Sequence, residues 1–565
     1  ALRNIIRTIL IDNAEDFPSL VREGSISDGI LDDMLTLVRT LRDFQADLSS
    51  FQPDKVIGVD IPRFLFLYEK ALEDRGLVDL IGMRKVLAER TKDWTSERPY
   101  FRKLVIIGGF EPTPSQISVI EALIRGSGET IYHHPYVPGK DRVFKRPVID
   151  LGCELDVVDL DVEDEEKLRL AMADPWGEGD KIDLSKTILE GRYLDQLEEV
   201  RQVAQKVSSL LEAGADPASI AIFLPERREA LPLVREVLAD FNIPFRTDLG
   251  MPLSTSPAVH AAMSILDAVA QGYDASALTR MLSSPYIRWE HDSVALWHVD
   301  IDRYSRMAGI LRGKGTWSKG LQLLIDDLNE RSIDPEVPEV RRKFMEMDAQ
   351  RIATVKASLE ALLEELEDLE GEKTFSGHLR SFRRVLDSLN VSKQLERSLW
   401  RDPDSAEAKA YQKLLGLLSS LEKDGYLEDR NISLADLMSE LRREIGEKQY
   451  HPGKRFDRAV SVAGYRTLAG MDFEHSFLLS TLEGDMPKLG VRHPFITSSQ
   501  AKQAGLLDEE DILRQERFYF LSAVLGGDQV NISYPAYQAG KKVLPSPFLQ
   551  DLQKNFALGE MEMVP

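Results

Sequence analysis

The chain has 565 residues, 43% hydrophobic and 29% charged; it is too long for one core and too apolar for wholesale disorder, so several folded domains are expected. Its single cysteine, Cys153, excludes an internal disulfide and any metal or cluster site built from several thiolates. The net charge of −23 argues against indiscriminate binding of polyanions over the whole surface and leaves room only for a local basic groove.

In chain order, residues 1–98 read as helices, with Leu31, Met34, Leu35, Leu37, Val38 and Leu41 on a helical period. The N-terminus lacks a signal-peptide plan and no apolar run approaches the ~18 residues that span a bilayer, so a cytoplasmic location and no membrane partner are expected. Residues 101–116 place a continuous apolar run, Leu104 to Ile107, ahead of Gly108 and Gly109. That is the pattern of a buried parallel strand ending where α/β folds hold ligands. A helix follows from Pro114, with Ile117, Ile120, Leu123 and Ile124 on one face. His133 and His134 would point to opposite faces of a strand and so make no metal pair. Residues 140–190 are acidic from Asp156 to Glu166 and carry a linker signal at Pro175, Trp176 and Gly177, which marks a boundary.

Glu198 and Glu199 open the next helix, which ends at Gly214; residues 220–224 form a buried strand, Arg227 follows it, and Leu231, Val234, Val237 and Leu238 begin another helix. Residues 258–445 are almost entirely helical. Within them Ile352, Val355, Leu359, Leu362, Leu366 and Leu369 keep a 3-4-3-4-3 spacing, the seam of an internal helical hairpin, with Tyr411, Leu414, Leu418 and Leu421 as its candidate mate. Arg303, Tyr304, Arg306, Arg312, Lys314, Trp317 and Lys319 lie in an acid-free segment. Cations on a phosphate backbone beside aromatics that stack on bases are what single-strand binding needs; a solvated loop with its aromatics turned inward is the alternative. Lys454 and Arg455, with Arg458, form a second basic cluster.

Two motif-like stretches are decoys. Gly313, Lys314, Gly315 and Thr316 have the wrong spacing for a phosphate-binding loop, and no G-x-x-x-x-G-K-[ST] occurs. Pro403, Asp404, Glu407 and Lys409 mimic a nuclease signature, but within one helical stretch they cannot converge on a metal.

Residues 460–487 are the pivotal stretch. An apolar strand at 460–463 runs into a polar turn closed by Gly470, and a second at 476–480 ends at Glu483, Gly484, Asp485, Met486 and Pro487. This layout resembles motif V of superfamily 1 helicases. Gly470, Asp472, Phe473, Glu483, Gly484 and Pro487 match, while Gly464, Arg466 and Ala469 stand where that motif has Thr, His and Lys. Arg466 and Thr467 in this turn join the candidates for DNA contact.

Three other stretches resemble the same helicases in the same order. Gly108 and Gly109 occupy the place of the Asp-Glu pair that holds Mg²⁺ in a motor, while Phe110 and Gln116 keep the aromatic and the Gln that follow it. The strand before Arg227 is similar to motif IV, where an Arg contacts nucleotide. Glu516, Arg517, Phe518, Tyr519 and Phe520 resemble motif VI, but Val524 and Leu525 replace its Thr and its γ-phosphate Arg. A kept scaffold with lost motor chemistry is similar to AddB or RexB, the helicase-like subunit of the bacterial helicase-nuclease, and to its archaeal relatives.

The resemblance implies an α/β fold of two RecA-like motor-type domains, the first incomplete, with large all-helical insertions, 1B and 2B. The expected division is a 1B-like subdomain at 1–98, the rest of domain 1A and a linker at 99–185, domain 2A at 186–257 and 446–565, and a 2B-like insertion at 258–445. It implies an ATPase-inactive DNA-binding scaffold acting in double-strand-break end processing and recombinational repair. Single-stranded or tailed double-stranded DNA and a partner helicase or nuclease subunit are the expected partners, with no catalytic residue, metal or cofactor in this stretch. Residues 544–549 resemble the join to the AddB nuclease, and the sixteen residues after Leu549 have no room for that domain. Two alternatives stay open: a fragment of an active ATP-dependent helicase/exonuclease, and a scaffold that docks a partner motor and no DNA.

Overall fold

The computed structural model describes residues 2–21, 26–48, 60–91, 99–107, 111–133, 142–144, 182–225, 230–247, 249–401, 405–423, 431–451, 458–467, 471–489 and 494–561. Gly108, Gly109, Phe110, His134, Arg227, Lys454, Arg455 and Gly470 lie outside them, as do Cys153, Pro403 and Asp404. The chain divides into two compact units, one of Ala1–Phe245 with Phe456–Pro565 and one of Arg246–Arg455.

The first unit opens with four helices, Leu2–Asp12, Asp28–Asp43, Ile61–Asp74 and Leu80–Arg90. Ser27, Asp60 and Asp79 each cap one of them by accepting a backbone N–H with the side chain. Leu31, Met34, Leu37, Val38 and Leu41 form the buried face of the second helix, as their period requires. Asp79 does more than cap: it pairs with Arg42 at 2.5 Å and accepts the Tyr68 hydroxyl at 3.2 Å, so one buried carboxylate ties three helices together.

Strand β1 (Phe101–Ile107), the helix Pro114–Arg125 and strand β2 (Ser127–His133) make a βαβ unit with parallel pairing from Phe101↔Ser127 to Ile107↔His133. The sequence reads β1 as buried, and the structure corrects this. Val105 is 48% exposed and Ile107 79%, because β1 has β2 as its one partner among the described residues and no described element covers that face.

The rest of this unit is a parallel sheet of β3 (Ile188–Asp195), β4 (Ile220–Leu224), β5 (Val460–Gly464), β6 (Phe473–Leu478), β7 (Gly527–Gln538) and β8 (Gly559–Glu560), in the spatial order β8-β3-β7-β6-β4-β5. Every residue of β4 and β5 is buried, which is why β4 reads as an unbroken apolar run; in β5 a buried Ser461 sits between Val460 and Val462. The helix Glu509–Leu525 covers one side, where Phe223, Phe473, Phe520 and Val524 share a core with Ile188, Val530 and Ile532. From β4 the chain moves toward β5, whereas from β6 it moves toward β7. The carboxyl ends of β4 and β6 therefore flank a topological switch point, the place where open parallel sheets bind ligands.

The second unit is helical, from Pro257–Ala270 to Leu434–Glu447, and a two-stranded ladder of Met251–Pro252 with Gln449–Tyr450 joins its two ends. Ile352, Val355, Leu359, Leu362, Leu366 and Leu369 are all buried. Their mate, however, is the helix Lys314–Ser332, which immediately precedes Glu339–Leu366, and not the helix Ala406–Lys423, which packs on Pro257–Ala270 and Phe375–Ser388. A short connection favours the sequence neighbour, and Tyr411, Leu414 and Leu418 are buried elsewhere. No helix among the described residues is long and apolar enough to cross a membrane.

Candidate functional site

Three side-chain clusters lie at the carboxyl ends of strands, two on the larger sheet and one past the end of β1. The first lies at the switch point. Leaving β6, the chain turns at Ser480, whose φ of 52° is left-handed, and Glu199 holds that turn. The Glu199 carboxylate, on the helix Gln196–Glu212, accepts the Ser480 backbone N–H at 2.7 Å and hydroxyl at 3.0 Å, and the Ser533 hydroxyl from β7 at 2.6 Å. Burial pushes its pKa up to about 7 against those three hydrogen bonds, which pull it down. Beyond this turn Gly484 takes a φ of 81°, a left-handed position suited to glycine, and the Ser546 hydroxyl donates to the Met486 carbonyl, fixing the far end of the loop.

The second cluster joins the turn after β5 to the helix Glu509–Leu525. Glu516 is fully buried and accepts the Tyr465 hydroxyl at 2.6 Å, the Lys488 backbone N–H at 2.8 Å and the Arg466 guanidinium. Arg466 also lies over the Tyr519 ring, 5.5 Å from its centroid, and over the Tyr465 ring at 5.9 Å. One carboxylate thus ties together the turn after β5, the loop after β6 and the helix before β7.

The third cluster lies just past the end of β1. Glu111, 8% exposed, accepts Arg514 Nε at 2.9 Å and Gln515 Nε2 at 2.6 Å, and Arg514 also pairs with Asp511 at 2.7 Å. Its carboxylate is taken up by these neighbouring side chains.

No family model matches the chain. It is similar to AddB of Geobacillus kaustophilus, a subunit of the ATP-dependent helicase/deoxyribonuclease, being 22% identical over 380 residues that cover 63% of this chain and 32% of that protein. The same subunit from Geobacillus thermodenitrificans is 21% identical over 381 residues, again 63% of this chain and 32% of the relative. The chain is AddB-like. It spans about a third of the length of the curated relatives it matches.

In this AddB-like chain four described positions that resemble motor motifs, with Thr467 beside them, have the following surroundings. Gln116 accepts the Thr113 backbone N–H at 2.8 Å and completes the capping box of its helix. Leu525 packs into the apolar clusters around Phe520 and Phe518. Arg517 is half-buried beside Glu516, while Asp472 and Thr467 are exposed.

The basic segment of the second unit needs a correction. Tyr304 and Trp317, read as platforms for bases, are each 1% exposed, and Trp317 donates its ring N–H to the Tyr273 carbonyl at 2.8 Å. They sit on the inward faces of their helices and pack in the core. Three of the cations have local partners: Arg303 with Asp348 at 3.3 Å, Arg306 with Asp302 at 2.7 Å, and Lys314 with Glu367. Arg312 and Lys319 are exposed and have no ion pair among the described residues. Arg458 of the second cluster pairs with Asp216 at 3.3 Å. The nuclease decoy is structural: Glu407 accepts the Ser256 hydroxyl at 2.5 Å and the Ala258 N–H at 3.0 Å, holding the start of Pro257–Ala270.

Sequence reasoning missed Tyr465, Ser480 and Ser533 and did not single out Glu199 or Glu516 for a role. A signal was present for the two acids. Glu199 lies on the stripe of Val203 and Val207, and Glu516 on that of Phe520 and Val524. An acid on the apolar face of a helix marks a buried polar hub.

Proposed function

We propose that this chain is the helicase-like scaffold of an AddB-type helicase-nuclease, built on two RecA-like motor-type domains with helical insertions. It holds single-stranded or tailed double-stranded DNA during double-strand-break end processing and recombinational repair without hydrolysing ATP, and passes the strand to a partner helicase or nuclease subunit. The observation that carries this reading is the Arg466–Glu516 pair. In the turn that resembles motif V, the buried carboxylate of Glu516 and two aromatic rings occupy the arginine, so it serves the fold rather than a nucleotide. Leu525 in its apolar contact supports the same reading, since it cannot stabilise charge developing on a phosphate.

The test is binding of a fluorescent single-stranded DNA tail over a salt series, with and without ATP, alongside DNA-stimulated phosphate release. The expected result is binding that weakens log-linearly with salt, indifferent to ATP, with no phosphate released. The double variant Arg312→Ala/Lys319→Ala is expected to flatten the salt slope by about 1.4, at about 0.7 for each phosphate no longer neutralised. Phosphate release stimulated by DNA would overturn the ATPase-inactive reading. An absence of binding at low salt would overturn the DNA-holding one and favour a scaffold that docks a partner motor only. That second reading is supported by the −23 charge and by the local pairing of Arg303, Arg306 and Lys314.

A further inference from the structure

We infer that Glu111 is the latch of a hinged body: its carboxylate holds the N-terminal helices and the β1–β2 unit closed against the larger sheet, where two-body folds ordinarily close on a ligand. Each body is knit together internally. In the first, the Asp43 carboxylate accepts Arg84 Nη1 at 2.7 Å, the Thr113 hydroxyl at 2.9 Å and the Ser115 hydroxyl. Thr113 and Ser115 open the helix Pro114–Arg125, so Asp43 fixes the segment that carries Glu111 onto the N-terminal helices. In the second body, Glu516 anchors the helix Glu509–Leu525 to the loops of the larger sheet. Between the bodies the ties differ in kind. β1 and β2 pair with each other and, among the described residues, with no strand of the larger sheet. Val143 and Phe144 share a small apolar cluster with Phe518 and Leu521, the Phe144 and Phe518 rings meeting edge to face at 5.9 Å.

Glu111 supplies the directional tie. Its two oxygens go to adjacent residues of one helix, Oε1 to Arg514 Nε at 2.9 Å and Oε2 to Gln515 Nε2 at 2.6 Å. Gln515 precedes Glu516, so the latch and the anchor of the second body sit side by side on that helix. Asp511, one turn earlier, takes Arg514 Nη2 at 2.7 Å and leaves Nε to Glu111. This second acid keeps the guanidinium paired when Glu111 lets go, so parting the bodies strands no unpaired cation on the helix. Glu111 itself lies past the end of β1, outside helix and strand, and returns to water as the bodies separate. A broad apolar interface would hold two bodies permanently, whereas a carboxylate bridge beside a small aromatic contact opens at a cost well below that of unfolding either body.

The latch stands apart from the DNA-holding reading, and its test contains neither nucleic acid nor nucleotide. Spin labels are placed at Lys85→Cys on the first body and Lys554→Cys on the second, both exposed positions, in the full chain carrying Cys153→Ser. Double electron–electron resonance is expected to give one narrow distance distribution for this parent and one roughly twice as wide for Glu111→Ala. Arg514→Ala is expected to widen it less, because Gln515 still holds Glu111, and the double variant Glu111→Ala/Arg514→Ala to match Glu111→Ala alone. Glu111→Gln, which keeps an acceptor for Arg514 Nε, is expected to stay nearer the parent than the alanine variant. Hydrogen exchange at 61–74 and 220–224, inside the two bodies, is expected to match the parent in every variant, which separates opening from unfolding. An unchanged width in Glu111→Ala would overturn the latch, as would a parent distribution already as wide. So would faster exchange at 61–74 or 220–224 in Glu111→Ala, which would make Glu111 a stabiliser of one body, or a double variant wider than both single ones.

Discussion

Glu516→Ala is expected to lower the unfolding free energy of the sheet-bearing unit by about 3 kcal/mol, because it removes the acceptor of three donors at once. The Tyr465 hydroxyl is buried and would lose its partner at 2.6 Å, and the Lys488 N–H would lose its own at 2.8 Å. Arg466, 34% exposed, can turn toward water, which holds the loss below that of a fully enclosed ion pair. Glu516→Gln keeps an acceptor oxygen but not the charge, and should cost roughly 1–2 kcal/mol. A chain of two units does not melt as one transition, so the effect is read by peptide-resolved hydrogen exchange together with urea titration. Amides at 460–467, 486–489 and 509–525 should exchange faster in the variant, while those at 314–332 in the other unit keep their protection. If exchange at 460–467 and 486–489 stays as in the parent, Glu516 does not hold these loops and its burial is incidental.

The parts of this chain that are legible in its sequence are those where one physical demand dominates. Strand β4 is buried on both faces and apolar throughout, so the run announces itself. The helix Gln196–Glu212 is bracketed by Asp195 at its cap and Gly214 at φ 97° just past its end, local signals that need no tertiary context. The end of β6 reads two residues too far. Leu479 and Ser480 are buried and look like strand, but the carboxylate of Glu199, 281 residues away in sequence, draws Ser480 into a left-handed turn. Long-range polar contacts of this kind leave little trace in local pattern. Tyr304 and Trp317 are misread for a related reason. An aromatic amid basic residues suits a binding face and the inward side of a helix equally well, and only the helix phase, with Tyr304 beside Ile301 and Trp317 beside Leu321, decides between them.

Glu199→Gln is expected to change how stability depends on pH, by about 3 kcal/mol across the titration of one carboxyl group. Glu199 is fully enclosed, and burial lifts its pKa from an ordinary 4.5 to about 7 despite the bonds from Ser480 and Ser533. A carboxyl whose folded pKa exceeds its unfolded one binds its proton more tightly in the folded state. Its contribution to stability is therefore complete below about pH 4.5 and is lost as pH rises through about 7. Tyr193 nearby does not share the titration, since burial and then Glu199 and Glu198 push its hydroxyl up to about 12. Glutamine keeps an acceptor oxygen for the Ser480 N–H and carries no charge at any pH. Near pH 5 the parent, already protonated at this site, and the variant should be close in stability, whereas above roughly pH 8 the variant should be the more stable by most of the expected difference. Hydrogen exchange at 479–482 and 530–534, followed across that range, reads the two proteins at the turn itself. A stability difference that stays flat with pH would mean that Glu199 keeps an ordinary carboxylate pKa, and that the three donors, not burial, dominate the carboxylate at the switch point.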